Sequence, residues 1–479
     1  MTSTNDIDDD YGFPGSDPSS KAQDEQPEGI GFRPAFHALW HLPKLGVVYN
    51  LDTYAGCAWD DADKGLAATR IALIDTAVDH KHPNLEGAID AGLMRDFSGG
   101  GTGAFVVREW ADLSPADCKA RIELLEKIQG EKDAISNAIR EEVKWIEDKT
   151  ANPRPERLPR VAPGALYGAH GTAVAGLIGA RPRPVQLRHP KFTPKESEKK
   201  TGTISLNLPY CGINPFCRII PISVTAVPGP EMLLGALEYA ALIEPDIVVI
   251  ADSWDGALDE QGGVSGAWRR VDDALTDLCE RHIVLCAAGN EALDWPVYPA
   301  SRCNDKIEGN DAPGPWAVGA CDTFGKDLTY SPVQATIVAL GGWMIQTLST
   351  EVPLFDENRT RIDPWEIADD ILGTPKYSEG FPPADIVTTD LPGRAGYNPS
   401  PYRHRPDPGG PYYEIASLFC RFAGTSAAVA IAAGLVSLIP RGKRRPNGRP
   451  SGTPSGNDMN KLFGIDLAKA LFGKASGSG

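Results

Sequence analysis

Three short segments each place a side chain suited to acyl-transfer chemistry where a strand should end or a helix should begin. In IALIDTAVDHKHPNL (71–85), Asp75 sits where an apolar run stops and the chain turns. A carboxylate there can accept a hydrogen bond from an imidazole. In YGAHGTAVAGLIGA (167–180), His170 precedes a helix of small residues. The glycines and alanines let neighbouring backbone approach closely. In FAGTSAAVAIAAGLVSLI (422–439), Ser426 opens an apolar helix, where the local field favours developing negative charge. Each has a plainer reading: Asp75 as a turn or cap aspartate, His170 as a cap, Ser426 as an N-cap. A serine hydroxyl is a weak nucleophile that needs an adjacent base. The order Asp, His, Ser is one of those in which unrelated folds assemble that base and its orienting carboxylate.

These residues need a scaffold, and the apolar pattern supplies one. TRIALIDT (69–76), CRIIPISV (217–224), PDIVVIAD (245–252) and HIVLCAAGN (282–290) read as buried strands. EMLLGALEYAALI (231–243) reads as a helix, as does the spacing of Trp268, Val271, Leu275 and Leu278. Strands alternating with helices imply an α/β fold with a mainly parallel central sheet flanked by helices. Such a sheet holds its sites at the carboxyl ends of its strands. Two large insertions interrupt the alternation. In residues 113–148, Ser114 can cap and Pro115 suits a first turn. Leu124, Ile128, Ile135, Ile139 and Val143 then recur at helical spacing, predicting a long helix or a helical hairpin. Residues 343–411, with many Pro, Gly and charged residues, read as an ordered insertion of irregular loops.

The three segments together closely resemble the subtilisin-like serine proteases, the subtilases. The first matches that family's D-T-G-[IV]-x-x-x-H-P-x-L pattern with Ala77 in place of glycine. The second matches H-G-T-x-V-A-G-x-I, and the third matches G-T-S-x-A. CAAGNE (286–291) resembles the family's A-A-G-N segment, YCGINPFCRIIPISV (210–224) its G-V-A-P strand, and VYPAS (297–301) its Y-P-A segment. The match spans about residues 45–440 apart from the insertions. One departure follows the serine, where the family's proline and histidine are replaced by Ala430 and Ile431 while Ala433 and Gly434 are kept.

The resemblance implies a subtilisin-like fold and a serine endopeptidase acting through an acyl-enzyme. His170 would act as base toward Ser426, and Asp75 would hold the imidazole. Asn290 and the backbone N–H of Ser426 would donate to the oxyanion. A polypeptide substrate would lie extended beside DSWDG (252–256), touching Ser253, Trp254, Asp255 and Gly256. Main-chain pairing of this kind gives affinity, and side-chain pockets give selectivity. Ala288 and Gly289 would wall the primary pocket, and Val297 near its floor would make it shallow. Asp255 and Asp294 are either determinants of a basic residue before the cut or solvated loop aspartates. Two other readings stay open: a catalytically silenced binding scaffold, and a dedicated peptide-maturation protease. The insertions are expected either to gate access or to decorate the surface.

Composition bounds the rest. With 47 basic and 64 acidic residues the 479-residue chain carries a formal charge of −17, which argues against nucleic acid as a partner. The longest nearly apolar run, residues 427–439, is too short for a membrane span. The start has neither a basic n-region nor an apolar h-region, so an intracellular and cytoplasmic location is expected. Nine cysteines without paired spacing fit a reducing compartment. Cys279 and Cys286 read as buried apolar residues. Cys211 and Cys217 could pair or bind metal, but nothing completes a zinc pattern. No cofactor is expected. Many subtilases bind calcium for stability, but no compact acidic loop here resembles a dedicated site.

The expected organisation is a disordered acidic tail over 1–29 and a peptidase domain over 30–440. A basic flexible linker would follow over 441–458, then a short C-terminal helix and tail over 459–479. The basic run 441–449 is a linker, a nuclear-import signal or an autocleavage site. Only 74 residues precede Asp75, so folding without a propeptide is expected. The sequence leaves the oligomeric state open.

Overall fold

In the computed structural model, residues 39, 41–45, 47, 69–105, 115–128, 133–151, 168–188, 203–208 and 210–254 are described. So are residues 256–259, 262–304, 314–321, 327–333, 335, 337–341, 386–392, 396–398 and 416–438. The N-terminal tail, the basic linker, the C-terminal helix and most of 343–411 lie outside them.

The strands are β1 (Arg70–Asp75), β2 (Arg95–Asp96), β3 (Ala104–Phe105), β4 (Arg183–Arg188), β5 (Thr203–Leu208) and β6 (Arg218–Ser223). They continue with β7 (Ile247–Ile250), β8 (Ile283–Ala287), β9 (Trp316–Cys321), β10 (Ile337–Leu340), β11 (Ile386–Thr389) and β12 (Phe419–Phe422). The longer helices are α1 (Pro115–Lys127), α2 (Ala134–Ala151), α3 (Gly168–Gly179), α4 (Pro230–Ile243), α5 (Arg269–Arg281) and α6 (Thr425–Ser437).

Eight strands form one sheet in the order β10-β9-β8-β7-β1-β6-β2-β3. Neighbours pair parallel except β2 and β3 at one edge. The four strands expected from the apolar runs are β1, β6, β7 and β8. Both faces of these strands are covered, as a parallel sheet with helices on either side requires. Alternate β1 residues serve two cores. Ile71 and Leu73 join α3 and α6, whereas Ala72 and Ile74 face the layer of α4 and α5.

The chain passes from β6 on one side of β1 to β7 on the other. Open α/β sheets bind ligands at such a reversal, beyond the carboxyl ends of the strands. Asp75 ends β1 and Ala251 follows β7 at that place.

The first insertion is a pair of packed helices, α1 and α2. The inward stripe of α1 differs from the expected one. Cys118 and Leu125, seven residues apart on one face, are buried in the core, whereas Leu124 and Ile128 are only partly buried against it. Ile135, Ile139 and Val143 of α2 are buried as expected. The wholly buried Arg95 fastens this pair, donating to Glu142 at 3.0 Å and to the carbonyls of Thr102 and Gly103.

Within 343–411, Ile386–Thr389 is not irregular loop but β11, a buried strand antiparallel to β12. This hairpin lies outside the main sheet. It is bonded to the flank of α3 by Thr388 Oγ1 to the Ala173 carbonyl (2.7 Å) and Thr389 Oγ1 to the Thr172 carbonyl (2.8 Å).

Every residue of α6 is buried, and a Cβ on its Gly434 would collide with the Ile213 side chain, so glycine there allows the close approach. At its far end Ser437 accepts from Asn214 Nδ2 at 2.8 Å and, through its carbonyl, from Thr69 Oγ1 beside the start of β1.

Candidate active site

Asp75 is buried, and its carboxylate is fully engaged. It accepts from His170 Nδ1 at 2.8 and 3.0 Å, from the Thr76 N–H at 2.6 Å and from the Thr76 hydroxyl at 3.2 Å. Both the turn reading and the imidazole-acceptor reading of Asp75 are thus present at once. His170 lies inside the first turn of α3, not before it, and its ring goes to Asp75 instead of capping the helix. The Thr76 hydroxyl also accepts the Gly171 N–H at 3.0 Å, tying the start of α3 to the end of β1. A Cβ on Gly171 would collide with the Thr76 carbonyl oxygen. Glycine is the residue that lets His170 come this close.

Ser426 is the second residue of α6, and Gly424 is its N-cap with no side-chain capping bond. The plain N-cap reading of Ser426 is therefore set aside. Its hydroxyl donates to the carbonyl of Ala251 at 2.9 Å. Among the described residues it makes no hydrogen bond to His170, so the expected serine–histidine contact is absent from this arrangement. Ser426 is 8% exposed, at the end of the helix where the dipole favours anions.

Gly424 has φ +96°, and a Cβ there would crowd the Asn290 amide at 3.1 Å. That amide is oriented by its partners. The Thr425 N–H donates to Asn290 Oδ1 at 2.8 Å, so Nδ2 is the end left to donate. The Thr425 hydroxyl accepts the Gly289 N–H at 3.1 Å and stands 3.1 Å from Asn290 Oδ1. Residues 289–290 and 424–426 are in this way laced into one unit.

The other expected substrate residues divide. Ala288 and Val297 are joined by the Val297 N–H to the Ala288 carbonyl at 2.8 Å, and the Val297 methyls lie against the Cα of Gly289, which has φ +109°. Ser253 is half-buried and Gly256 is exposed. Trp254 is buried against Tyr298, ring centroids 5.9 Å apart, so its side chain supports the segment from beneath. Asp294 is exposed, and Asp255 lies outside the described residues.

Several neighbours were not singled out from the sequence. Thr76 stands next to Asp75, which it orients, and Thr425 stands next to Ser426 but orients Asn290 of another block. Asp252 is half-buried and holds the Ser253 N–H at 2.9 Å. Phe422 sets its ring edge-on to His170, centroids 5.3 Å apart.

Burial opposes protonation of His170. The Asp75 carboxylate, by charge and hydrogen bond, and the Asp252 carboxylate outweigh it and raise its pKa above the ordinary histidine value. A base with a raised pKa reaches its neutral form only at higher pH. Activity that uses His170 as base should thus rise with pH on the alkaline side of an ordinary histidine. Removing one negative charge lowers the pKa, so Asp252→Asn is expected to move the rising limb of kcat/KM toward acid. A pH–rate profile of the two proteins checks this, and an unmoved limb would count against it.

A family model described as the subtilase family, Peptidase S8, matches residues 67–451. The chain belongs to the subtilase family. It is a serine-type peptidase and acts on peptide bonds. No curated protein matches this subtilase.

Among solved structures, it is similar to the epidermin leader peptide processing serine protease from Staphylococcus aureus: 16% identity, 92% of this chain and 82% of that one, TM-score 0.46. The nisin leader peptidase from Lactococcus lactis is 14% identical over 85% and 88% of the two chains, with TM-score 0.43. The PatG macrocyclase domain is 16% identical over 89% and 98%, with TM-score 0.41.

Eight cysteines of the subtilase are described, and all are free thiols. Burial pushes the Cys217 thiol up to about 12 and raises Cys211 as well, so neither is a ready metal ligand or nucleophile. Among the described residues, no group of three or more His, Cys, Asp or Glu could hold a metal ion, and no helix is long and apolar enough to cross a membrane.

Proposed function

We propose that this subtilase is an active, intracellular endopeptidase in which Ser426 is the nucleophile, His170 the general base and Asp75 the group that orients the base. The observation that carries the reading is the Asp75–His170 pair at 2.8 Å, at the reversal of strand order where Ser426 also stands. With Nδ1–H donated to Asp75, the other ring nitrogen is free of its proton and available as a base. When substrate arrives, the Ser426 hydroxyl turns from the Ala251 carbonyl toward that nitrogen. Such bonds are often unmade before substrate binds.

Oγ then attacks the peptide carbonyl carbon while its proton passes to His170. The oxyanion is held by Asn290 Nδ2 and the Ser426 N–H. The C–N bond breaks, and His170 gives its proton to the departing amine. Water, deprotonated by the same imidazole, then cleaves the acyl-enzyme and restores Ser426.

An extended polypeptide beside 252–256, with its residue before the cut between 252–254 and 288–289, fits this geometry. The half-buried Val297 against Gly289 makes that pocket shallow. Asn290→Ala is expected to lower kcat about 10²–10³-fold with little change in KM, the size measured for a side-chain oxyanion donor in another member of the family. Steady-state kinetics on a quenched peptide reads both constants.

The reading itself is tested by labelling with a fluorophosphonate probe. The wild-type protein should label, and Ser426→Ala should not. An unlabelled, folded wild type would favour the silenced scaffold.

A further inference from the structure

Between β11 and β12 the chain carries Asp390, whose side chain is wholly buried. Its carboxylate accepts three backbone N–H groups: Leu391 at 2.8 Å, Tyr397 at 3.0 Å and Asn398 at 2.6 Å. Asn398 Nδ2 in turn donates to the Phe419 carbonyl at 3.0 Å. A Cβ on Gly396 would collide with the Leu391 carbonyl, so the chain is drawn in tightly just before Tyr397. The backbone of Tyr397 is thereby fixed.

Its ring packs on Phe422, centroids 6.1 Å apart, and Phe422 is the residue edge-on to His170. Phe422 is 7% exposed, whereas Tyr397 is 41% exposed. An aromatic face open to solvent thus stands one ring away from the catalytic imidazole.

We propose that Tyr397 is a specificity-determining residue of this subtilase: with Phe422 it forms an aromatic wall beside His170 that receives an apolar side chain on the substrate residue following the cleaved bond. The inference rests on the functional reading above and deepens it. The departing amine takes its proton from His170, so the residue that follows the cut must lie against that imidazole. The acyl side is instead bounded by the segments after β7 and β8. The β11–β12 hairpin, bonded to the flank of α3, supplies a different wall. A tyrosine anchored through its backbone offers a large contact area with few torsions left to freeze.

The test compares wild type, Tyr397→Phe and Tyr397→Ala. Each digests a reduced and alkylated protein mixture, with cut sites read by mass spectrometry. Each is also assayed on two quenched peptides that differ only in Phe or Gly after the cut. Wild type should favour aromatic and large aliphatic residues at that position. Tyr397→Phe should keep the preference. Tyr397→Ala should lower the Phe-over-Gly ratio of kcat/KM about tenfold, the scale of one apolar contact in a specificity pocket.

Fluorophosphonate labelling, which does not involve that substrate residue, is measured on all three. A labelled Tyr397→Ala with an unchanged ratio overturns this proposal and leaves the assignment of Ser426 standing. A wild type that neither labels nor cleaves overturns the functional reading and this proposal with it. If the alanine variant does not fold, Tyr397→Gln, which keeps bulk without a ring, carries the same expected loss.

Discussion

Ser426→Ala is expected to lower kcat by about 10⁶-fold, the magnitude measured for the nucleophile of another member of this family. The chemical reason is simple. The other hydroxyl at the start of α6, that of Thr425, is committed to Gly289 and Asn290, which leaves Ser426, beside the end of β7, as the one placed to attack. The change is also structurally mild. Among the described residues the hydroxyl makes a single hydrogen bond, to the Ala251 carbonyl, and it does not cap the helix. Losing that bond costs roughly 1 kcal/mol, and alanine is the best helix former. The variant should thus unfold within a few degrees of wild type by circular dichroism. A residual rate about 10³–10⁴-fold above water should persist, because the oxyanion donors and the binding surface are intact. Single-turnover hydrolysis of a quenched peptide measures the loss. A variant retaining even a hundredth of the rate would remove Ser426 from the nucleophile's role.

Asp75→Asn is expected to cost about 10⁴-fold in kcat. The side chains are nearly isosteric, so the penalty comes from hydrogen-bond polarity. Asp75 Oδ1 accepts from the Thr76 N–H and hydroxyl and lies 2.8 Å from His170 Nδ1, while Oδ2 lies 3.0 Å from the same nitrogen. An asparagine keeping the Thr76 bonds puts its NH₂ in the place of Oδ2, so a donor faces Nδ1 where a second acceptor stood. That favours the tautomer protonated on the other ring nitrogen, where a base is needed. The imidazolium that forms during attack also loses its compensating charge. Because the Asp75 carboxylate raises the His170 pKa, the residual activity of the variant should have its rising limb at lower pH. A pH–rate profile separates this from simple damage to the fold. Near-wild-type kcat would show that Asp75 does not orient the base.

Much of this site could be read from the chain because its parts are local. Asp75, His170, Asn290 and Ser426 each lie in a short, dense block, with Thr76 beside Asp75, Gly171 beside His170, Gly289 beside Asn290 and Thr425 beside Ser426. β1, β6, β7 and β8 were equally legible, being runs long and apolar enough to stand out. β9, β10, β11 and β12 were not. They are four to six residues long, and β11, reading IVTT, sits among prolines and charges that mask it. The stripe of α1 was misplaced because a helix alone does not say which of two adjacent leucines its neighbours will cover. Tyr397 carried no signal at all. Its role comes from Asp390, seven residues back, and from Phe422 in another strand, and no periodicity links such positions.

The burial of α6 along its whole length has a consequence for how the enzyme fails. Loop-borne nucleophiles are lost early, when a surface segment opens while the body of the protein stays folded. Here the first turn of the helix is laced to Asn290 and its last residue to Asn214 and Thr69. Ser426 cannot drift without withdrawing a helix from the middle of the molecule. Fraying of peripheral segments therefore leaves the nucleophile in register, and heat inactivation is tied to collapse of the central sheet as a unit.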